Sequence, residues 1–574
     1  MPQNERSYTL MSKINAGQLF AKAMKKEGID AVFTLSGGHI MPILYACREE
    51  GIRVIDVRHE CSGAYAAIAY AKTTGKPGVV ITTAGPGVTN VQTAMAEAAE
   101  TSVPVIHIGG ASPLSQNEMG PMQNIDSMKA MEAFCKWSRK IYQANRVPEY
   151  MAMAFRQALS GTPGPVYLEI AADTLGAGIF EEETIQWPVN YRVAGSACAD
   201  AATAEKIADI LINAKKPVMV LGAVAPYCAE EPEKVRALAE YLQIPVFAQM
   251  EARGMFGNEL TDRLFTCGEG AVAEADVILE LGVDRNYKIG MGKPPRMNGE
   301  AIRIVVHPDA AKIGWNWKAD IGVAGGISAV CGQVLALVKD KTNSVMNSAW
   351  VEEAAAITAR FRTSYTEAIT SGMAPVHPGR VAAEVAKFVD EYAPDWHIIC
   401  DGGDSSCWMD ALAHASYRGQ VLRYGPLGTI GTGQGQAIGA WAGDGKPVVY
   451  FTGDGSFGFY IGEFDTYLRH GIPVICVISN DSSWGMIKLS EGVKREAYIA
   501  EHGHLATTLA PMRAYEKIAD MWGGVGLCVS KAEDIIPAMK KIMDSGLPGI
   551  LNVETDQTVM SPATRSFAGV PAKK

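Results

Sequence analysis

Short apolar runs alternate with longer amphipathic segments along most of the chain. Apolar runs bounded by turn residues predict buried strands, and apolar positions that recur at helical spacing predict helices between them. The strands of the first block are AVFTL, RVIDV, GVVITT, VPVIHIG and GPVYLEI, with helices such as NAGQLFAKAMKKEG and CSGAYAAIAYAKTTG between them. Because this alternation produces parallel sheets covered by helices on both faces, it predicts an α/β fold with doubly wound sheets.

The alternation weakens twice, and the two interruptions divide the chain into blocks. Residues 181–200 read as one linker, and a polar helical stretch at 341–372 reads as a second. The later blocks resume the pattern with KPVMVLG, IPVFAQ, VILELG and IRIVVH, and then with WHIICDGG, KPVVYFTGDG, IPVICVISND and GILNVE. We therefore predict domains at residues 11–185, 199–340 and 373–560, followed by a tail at 561–574. The first and third domains are candidates for two copies of one architecture.

Composition, charge and cysteine spacing narrow the class of protein. A chain of 574 residues is too long for one hydrophobic core. A net charge of −10, without a long basic run, argues against nucleic acid or a membrane surface as partner. The cysteines form no Cys-x-x-Cys pair, and no apolar run approaches the roughly twenty residues of a membrane span. We expect a reduced, cytoplasmic protein whose polar N-terminus is not a signal peptide.

Two acidic residues follow two consecutive predicted strands of the third block. Asp454 stands in the turn Gly453-Asp454-Gly455 after PVVYFT, and Asp481 follows IPVICVIS. Both emerge at the carboxyl edge of a parallel sheet, where open α/β sheets bind ligands. Magnesium uses one or two protein carboxylates beside phosphate oxygens, and Ser456 and the glycines leave amides free at a helix start. The pattern predicts a magnesium-bridged diphosphate; an isolated turn aspartate that caps a helix is the plainer alternative.

This spacing of Gly-Asp-Gly and Asn-Asp resembles the signature of thiamin diphosphate enzymes. The resemblance covers essentially the whole chain from Met11 and implies three doubly wound domains: pyrimidine-binding, central and diphosphate-binding. It implies thiamin diphosphate as cofactor and Mg²⁺ held by Asp454, Asp481 and a main-chain carbonyl near Ser483. It also implies a cofactor between the first domain of one subunit and the third domain of another. A homodimer is then the minimum, and a homotetramer is expected.

The resemblance extends to two further parts of the cofactor site. Glu60, after the strand RVIDV, matches the family's glutamate that hydrogen-bonds the aminopyrimidine ring and helps to remove the C2 proton. Without the downstream signature, an acid that complements the dipole at a helix start would be the favoured interpretation. The segment YGPLGTIGTG resembles the loop that passes under the cofactor, with Ile430 as apolar wedge and Gly402, Gly428 and Thr429 alongside. GTGQGQAIG lacks the strand context of a dinucleotide-binding motif, so we do not assign it that role.

Within the family, the chain resembles benzaldehyde lyase in three segments: TLSGGHIMPILYAC, PMQNIDSMK and the signature itself. The resemblance implies that His39 relays protons to the substrate and that Gln123 hydrogen-bonds the cofactor amine or a substrate oxygen. A neutral histidine suits that role because its ordinary pKa lies near operating pH. A turn histidine and a surface amide are the alternatives. His59 is expected to be structural and Glu463 to be a solvated helix acid.

The chain also departs from benzaldehyde lyase. Met486 stands where that enzyme has a small alanine, so Cys407, Trp408, Trp484 and Met486 are expected to outline a pocket of another shape. FAD, which acetolactate synthases carry, is not expected, because LGVDRNYKIG only loosely resembles their pattern. Whether the central domain binds ADP or CoA stays an open question at this point. The tail is either disordered or folds over the site, where Arg565 and the terminal lysines would meet CoA phosphates.

The predicted activity is a carbon–carbon lyase and carboligase that cleaves or forms 2-hydroxy ketones through a cofactor ylid and an enamine. Its substrates would be an aldehyde, a 2-hydroxy ketone or an acyl-CoA. Alternatives are a 2-hydroxyacyl-CoA lyase, an oxalyl-CoA decarboxylase, an acetolactate synthase or a 2-keto acid decarboxylase. A silent cofactor-binding subunit is the alternative that is not an enzyme, and the retained acids Glu60, Asp454 and Asp481 argue against it. The sequence does not fix the substrate, because single pocket side chains discriminate weakly between apolar groups.

Overall fold

A computed structural model describes residues 13–193, 195–228, 231–259, 261–265, 268–342 and 347–570. The described residues form three α/β domains, as predicted, with parallel sheets of six, five and six strands. The first and last strands of the first domain, which are both short, pair with each other in antiparallel orientation. No helix within the described ranges is both long and apolar enough to cross a bilayer.

The first domain has strand order β3-β2-β4-β5-β7-β6, with β1 paired to β8. Helix α1 begins with a capping box, in which Asn15 and Gln18 each accept the other's backbone N–H at 3.0 Å. The strands are β1 (Lys13–Asn15), β2 (Ala31–Leu35), β3 (Arg53–Asp56), β4 (Gly78–Thr82), β5 (Val105–Ala111), β6 (Trp137–Ile141), β7 (Val166–Ala171) and β8 (Ile179–Glu181). The helices are α1 (Ala16–Lys26), α2 (Met41–Glu49), α3 (Glu60–Thr74), α4 (Pro86–Thr89), α5 (Gln92–Glu100), α6 (Ser127–Glu132), α7 (Val147–Leu159) and α8 (Ala172–Leu175).

The central domain has strand order β10-β9-β11-β12-β13 and its own apolar core. Its strands are β9 (Pro217–Leu221), β10 (Val246–Ala248), β11 (Val277–Leu281), β12 (Ile302–His307) and β13 (Ile321–Ala324). Its helices are α9 (Ala201–Asn213), α10 (Ala225–Cys228), α11 (Pro232–Leu242), α12 (Glu269–Glu274) and α13 (Ile327–Lys341). The second predicted linker contains two helices, α14 (Ser348–Thr363) and α15 (Thr366–Ile369).

The third domain has strand order β15-β14-β16-β17-β19-β18. Its strands are β14 (His397–Cys400), β15 (Val421–Arg423), β16 (Val448–Gly453), β17 (Val474–Asn480), β18 (Val525–Val529) and β19 (Gly549–Glu554). Its helices are α16 (Pro378–Tyr392), α17 (Asp404–Leu412), α18 (Gly433–Asp444), α19 (Asp454–Phe457), α20 (Glu463–His470), α21 (Gly485–Lys494), α22 (Glu496–His502), α23 (Glu516–Trp522), α24 (Ile535–Ser545) and, in the tail, α25 (Pro562–Ala568).

The first and third sheets share one topology. Numbered from β2 and from β14 within their own domains, the strands of both sheets run in the order 2-1-3-4-6-5. In such an open parallel sheet, the order reverses between the first and third strands, and ligands bind beyond the carboxyl ends at that point. In the third domain this reversal lies between β14 and β16, next to the turn that contains Asp454.

Helices α3 and α18 join these two domains within the chain. Both are almost wholly buried, and small residues bring their backbones together. A side chain at Gly435 would place its Cβ 2.4 Å from the Ser62 carbonyl oxygen, and one at Gly439 would lie 2.0 Å from that of Ala66. The glycines are therefore required by the close approach of the helices.

Candidate active site

Asp454 and Asp481 meet at the carboxyl edge of the third sheet. Strands β16 and β17 are parallel neighbours, with Gly453 in register with Ser479, so the two carboxyl groups lie close enough to interact electrostatically. The backbone N–H of Ser483 donates to Asp481 Oδ1 at 3.0 Å. Burial raises the pKa of both aspartates, and the charge of Asp481 raises that of Asp454 further. Two buried carboxylates that interact in this way need a shared proton or a cation, so this pair fits a divalent ion.

Glycine turns surround the acidic pair. Gly402 has a φ of +90°, and a Cβ there would lie 2.4 Å from Ser405 Oγ. A Cβ at Gly455 would lie 2.7 Å from the Trp484 ring. Side chains are therefore excluded where β14 and β16 end, and the glycines leave room beside the backbone for a ligand. Such turns at helix starts suit a diphosphate.

Asp401 holds the turn after β14 against the loop that precedes α18. Its fully buried carboxylate accepts the backbone N–H groups of Gly402 at 2.6 Å, Gly431 at 3.1 Å and Gly433 at 3.0 Å. It also accepts the Tyr450 hydroxyl at 3.0 Å. Burial raises the pKa of Asp401. Asp401 was not predicted from the sequence, although an acid directly before two glycines at a strand end was a usable signal.

In the first domain, the predicted catalytic residues lie around the turn that follows β4. His39 follows β2, and its Nδ1 lies 3.0 Å from Thr83 Oγ1. Burial lowers the pKa of His39, which favours the neutral imidazole. Gln123 has a φ of +61°, and its carbonyl oxygen would lie 2.8 Å from a Cβ at Gly85. The close approach of Gln123 therefore requires a glycine at position 85.

Glu60 packs beside the segment that follows this turn. It is the first residue of α3, is buried, and accepts the Asn90 Nδ2–H at 2.8 Å. Its Oε1 would lie 3.7 Å from a Cβ at Gly87. His59 caps α3 by accepting the Cys61 N–H at 3.1 Å, which agrees with its expected structural role. The stretch TTAGPGVTN, which supplies Thr83, Gly85 and Asn90, was not singled out in the sequence; its two glycines after a buried strand were the signal.

A cavity of about 1150 Å³ extends from the acidic pair to the central domain. The predicted residues that line it are Gly402, Gly428, Ile430, Gly453, Asp454, Gly455, Ser456, Asp481, Ser483, Cys407, Trp484 and Met486. Of the described residues, Glu60, His39 and Gln123 are not among those that line it. Within one chain, helix α3 of the first domain instead packs against helix α18 of the third domain.

Three expectations need correction or refinement. Trp408 does not line the cavity but packs in the core: its Nε1–H donates to Asp404 Oδ2 at 2.9 Å, and a Cβ at Gly379 would lie 2.8 Å from its ring. Glu463, expected to be solvated, is fully buried. Thr429 lies beside the cavity and donates its hydroxyl to Glu97 Oε2 at 3.0 Å.

The part of the cavity wall near the central domain carries charged side chains of both signs. Arg423 forms an ion pair with Asp410, and Lys288 Nζ lies 4.7 Å from the centre of the Tyr424 ring. Burial and the charge of Arg423 lower the pKa of Lys288 to about 8. Arg285, within the loosely FAD-like stretch, is buried away from the cavity.

The described part of the tail forms α25 on the cavity rim. Its first residue is preceded by Ser561, whose N–H donates to Asp404 Oδ1 at 3.0 Å, and Phe567 lines the cavity. Arg565 is not among the lining residues, and Lys573 and Lys574 lie outside the described residues. Within the described ranges, no group of three or more His, Cys, Asp or Glu side chains is placed to hold a metal ion.

Comparison with known proteins identifies the family. Three family models match: "Thiamine pyrophosphate enzyme, N-terminal TPP binding domain" over residues 14–131, "central domain" over 204–334 and "C-terminal TPP binding domain" over 401–553. A "Probable acetolactate synthase" of Mycobacterium bovis is 31% identical, over 97% of this chain and 98% of its own. "2-hydroxyacyl-CoA lyase 2" of Mus musculus is 30% identical, over 91% and 87%. "2-hydroxyacyl-CoA lyase 1" of Mus musculus is 27% identical, over 94% of both chains. The chain therefore belongs to the thiamine pyrophosphate enzyme family.

Proposed function

We propose that the protein is a cytoplasmic, magnesium-dependent carbon–carbon lyase that cleaves 2-hydroxyacyl-CoA thioesters or 2-hydroxy ketones and acts as a carboligase in reverse. The observation that carries this proposal is that Asp454 and Asp481 meet at the ends of two neighbouring parallel strands, beside glycine turns that leave no room for side chains. One cation resolves the repulsion within this pair and binds a diphosphate at the same sheet edge.

Each predicted residue then has a defined task. Asp454, Asp481 and a carbonyl near Ser483 hold the magnesium ion, and the amides of the glycine turns bind the diphosphate. Bound thiamin diphosphate supplies a thiazolium carbon nucleophile for the substrate carbonyl. Glu60 hydrogen-bonds the aminopyrimidine, and His39 exchanges a proton with the substrate hydroxyl.

The proposal includes a homodimer as the smallest active unit. The residues Glu60, His39 and Gln123 surround the turn after β4, whereas the acidic pair lines a cavity that they do not reach in the same chain. A second copy would supply the missing half of each site, and two such dimers would form a tetramer. The oligomeric state by light scattering, with and without cofactor, checks this part.

A lysine in the cavity wall supports a CoA thioester as the preferred substrate. Lys288 lines the cavity, forms no ion pair with another described residue and would face the phosphates of CoA or its ADP moiety, whereas Arg423 is paired with Asp410. Two of the relatives described above carry the name 2-hydroxyacyl-CoA lyase.

An acetolactate synthase activity is the second candidate, because the Mycobacterium bovis relative carries that name. The burial of Arg285 speaks against FAD use through the stretch LGVDRNYKIG.

The decisive experiment offers the holoenzyme a 2-hydroxyacyl-CoA, benzoin, oxalyl-CoA and pyruvate separately, with product masses measured. We expect an aldehyde from the first substrate, and from benzoin at a lower kcat/KM. Activity should require both thiamin diphosphate and Mg²⁺. Acetolactate from pyruvate without cleavage of either hydroxy substrate would overturn the lyase assignment, and turnover without the cofactor would overturn the whole proposal.

A further inference from the structure

The first and third domains share one strand order, and the helices that pack between them, α3 and α18, occupy equivalent places in it. Helix α3 follows the second strand of the first domain, and α18 follows the second strand of the third domain. Each domain also has two consecutive helices after its third strand, α4 and α5 in one case and α19 and α20 in the other. Helices α5 and α20 each contribute a fully buried glutamate, Glu97 and Glu463, at equivalent places in the topology.

Glu463 reaches from the third domain to the loop before α3. Its Oε1 accepts the backbone N–H groups of Arg58 at 3.0 Å and His59 at 3.1 Å, and its Oε2 accepts the Thr466 hydroxyl at 2.7 Å. Within the described ranges, no cationic side chain forms an ion pair with it. The carboxylate therefore fixes the backbone of the two residues that precede Glu60.

Glu97 makes the reciprocal contact. From the first domain, its Oε1 accepts the backbone N–H of Gly425, and its Oε2 accepts the Thr429 hydroxyl at 3.0 Å. This loop lies between β15 and α18 and continues into Ile430. A Cβ at Gly425 would lie 1.9 Å from Thr101 Cγ2, so the loop is seated directly on α5 and its C-terminal end.

We propose that Glu463 and Glu97 are reciprocal positioning residues, each of which holds the loop that presents the other domain's cofactor-facing residues. Glu463 sets the position of Glu60, and Glu97 sets that of Gly428, Thr429 and Ile430. This inference rests on the proposed function. In the proposed dimer, Glu60 of a chain serves the site completed by the other chain. Each diphosphate-binding domain therefore holds, through Glu463, the activating carboxylate used at the opposite site.

The first test measures how Glu463 affects activation of bound cofactor. Holoenzyme is loaded with thiamin diphosphate deuterated at C2, and loss of deuterium is followed by proton NMR after acid quench. Glu463→Met removes the acceptor and should slow exchange at cofactor saturation about tenfold or more, because two buried amides lose their partner. Glu463→Gln keeps an acceptor and should restore most of the rate. Asp465→Met is the matched control, because Asp465 contacts the side chain of Arg58 but not its backbone.

The outcomes separate this inference from the proposed function. If the unmodified holoenzyme does not accelerate exchange over free cofactor, activation by Glu60 is wrong. If it does, and Glu463→Met exchanges at the same rate, the inference is wrong. If Glu463→Met does not fold, Glu463→Asp replaces it, because the shorter side chain keeps the charge but moves the carboxylate away from the two amides. A normal exchange rate in Glu463→Asp would also show that the inference is wrong.

The second test addresses Glu97. Glu97→Met should raise the cofactor Kd about tenfold, because the loop from Gly425 to Ile430 loses its anchor, while exchange at saturation stays close to that of the unmodified enzyme. Glu97→Gln should restore binding. An unchanged Kd in the methionine variant would contradict this half of the proposal. If both glutamates served only to stabilise the fold, the two methionine variants would not differ in this way, with Glu463→Met slowing C2 exchange and Glu97→Met raising the cofactor Kd.

Discussion

Lys72 of α3 and Glu251 of the central domain form a buried ion pair, with Nζ and Oε1 2.8 Å apart and side chains only 1% and 4% exposed. The same ammonium group donates to the Arg423 carbonyl oxygen at 3.0 Å, next to the loop that carries Thr429. One cation therefore connects all three domains beside the candidate site.

Removal of one partner of this pair should destabilise the chain strongly. Lys72→Met leaves Glu251 buried without its partner, and we expect a loss of about 3–5 kcal/mol in unfolding free energy. Adding Glu251→Met should recover part of it. The exposed pair Arg146–Glu149, with side chains 44% and 47% exposed, is the control and should change stability by no more than about 1 kcal/mol when broken. Urea unfolding followed by tryptophan fluorescence measures all three; equal losses would refute the argument from burial.

Asp454→Asn should separate metal binding from apo stability. The apo variant should melt at or above the temperature of the apo wild type, because it removes one of two buried carboxylates that repel each other. The rise in melting temperature with thiamin diphosphate and Mg²⁺ should nevertheless be lost, since one of the two cation ligands is gone. Differential scanning fluorimetry with and without EDTA checks both parts. A retained cofactor shift would contradict the assignment of Asp454 as a ligand.

His107 should make stability depend on pH. Burial lowers its pKa to about 3 in the folded chain, against about 6.5 when unfolded. Between these values the unfolded chain binds a proton that the folded chain does not, so the stability present above pH 6.5 declines as pH falls toward 3. The slope is at most about 1.4 kcal/mol per pH unit.

His107→Gln tests this, because a glutamine retains a partner for the Thr82 hydroxyl, which lies 2.8 Å from Nε2. The difference in melting temperature between pH 7.5 and pH 5 should be smaller in the variant than in the wild type. The same difference in both proteins would show that His107 does not contribute.

Gly439→Ala should disrupt the joint between the first and third domains. The added methyl would lie 2.0 Å from the Ala66 carbonyl oxygen, so α3 and α18 must move apart. We expect a loss of about 1–3 kcal/mol from overpacking, and weaker cofactor binding. Gly492→Ala in α21 is the control, since no atom lies within 4 Å of its added Cβ and alanine favours a helix. Chemical unfolding compares the two; a neutral Gly439→Ala would mean that the helices adjust without cost.

The sequence predicts site residues best where they stand at the ends of consecutive strands. Asp454 and Asp481 were predictable because consecutive parallel strands end at the same sheet edge. Glu60 came from the family resemblance, and the buried central strands came from their apolar runs. The edge strands β6 and β15 were missed, because WSRKI is mixed in polarity and VLR is very short.

Contacts between domains could not be predicted in this way. Glu97, Asp401 and Glu463 accept backbone N–H groups from other loops, and Glu97 and Glu463 do so across the domain interface, which no local pattern reports. Trp408 was misplaced for a related reason: the sequence shows that α17 has apolar positions but not which neighbour covers them.

The shared strand order of the first and third domains has a physical consequence. Two separate proteins that met through helices like α3 and α18 would dissociate on dilution, because their association would depend on concentration. Fusion into one polypeptide turns that encounter into an intramolecular one with a fixed effective concentration. This joint therefore persists at any protein concentration, whereas the proposed contact between two chains would weaken on dilution.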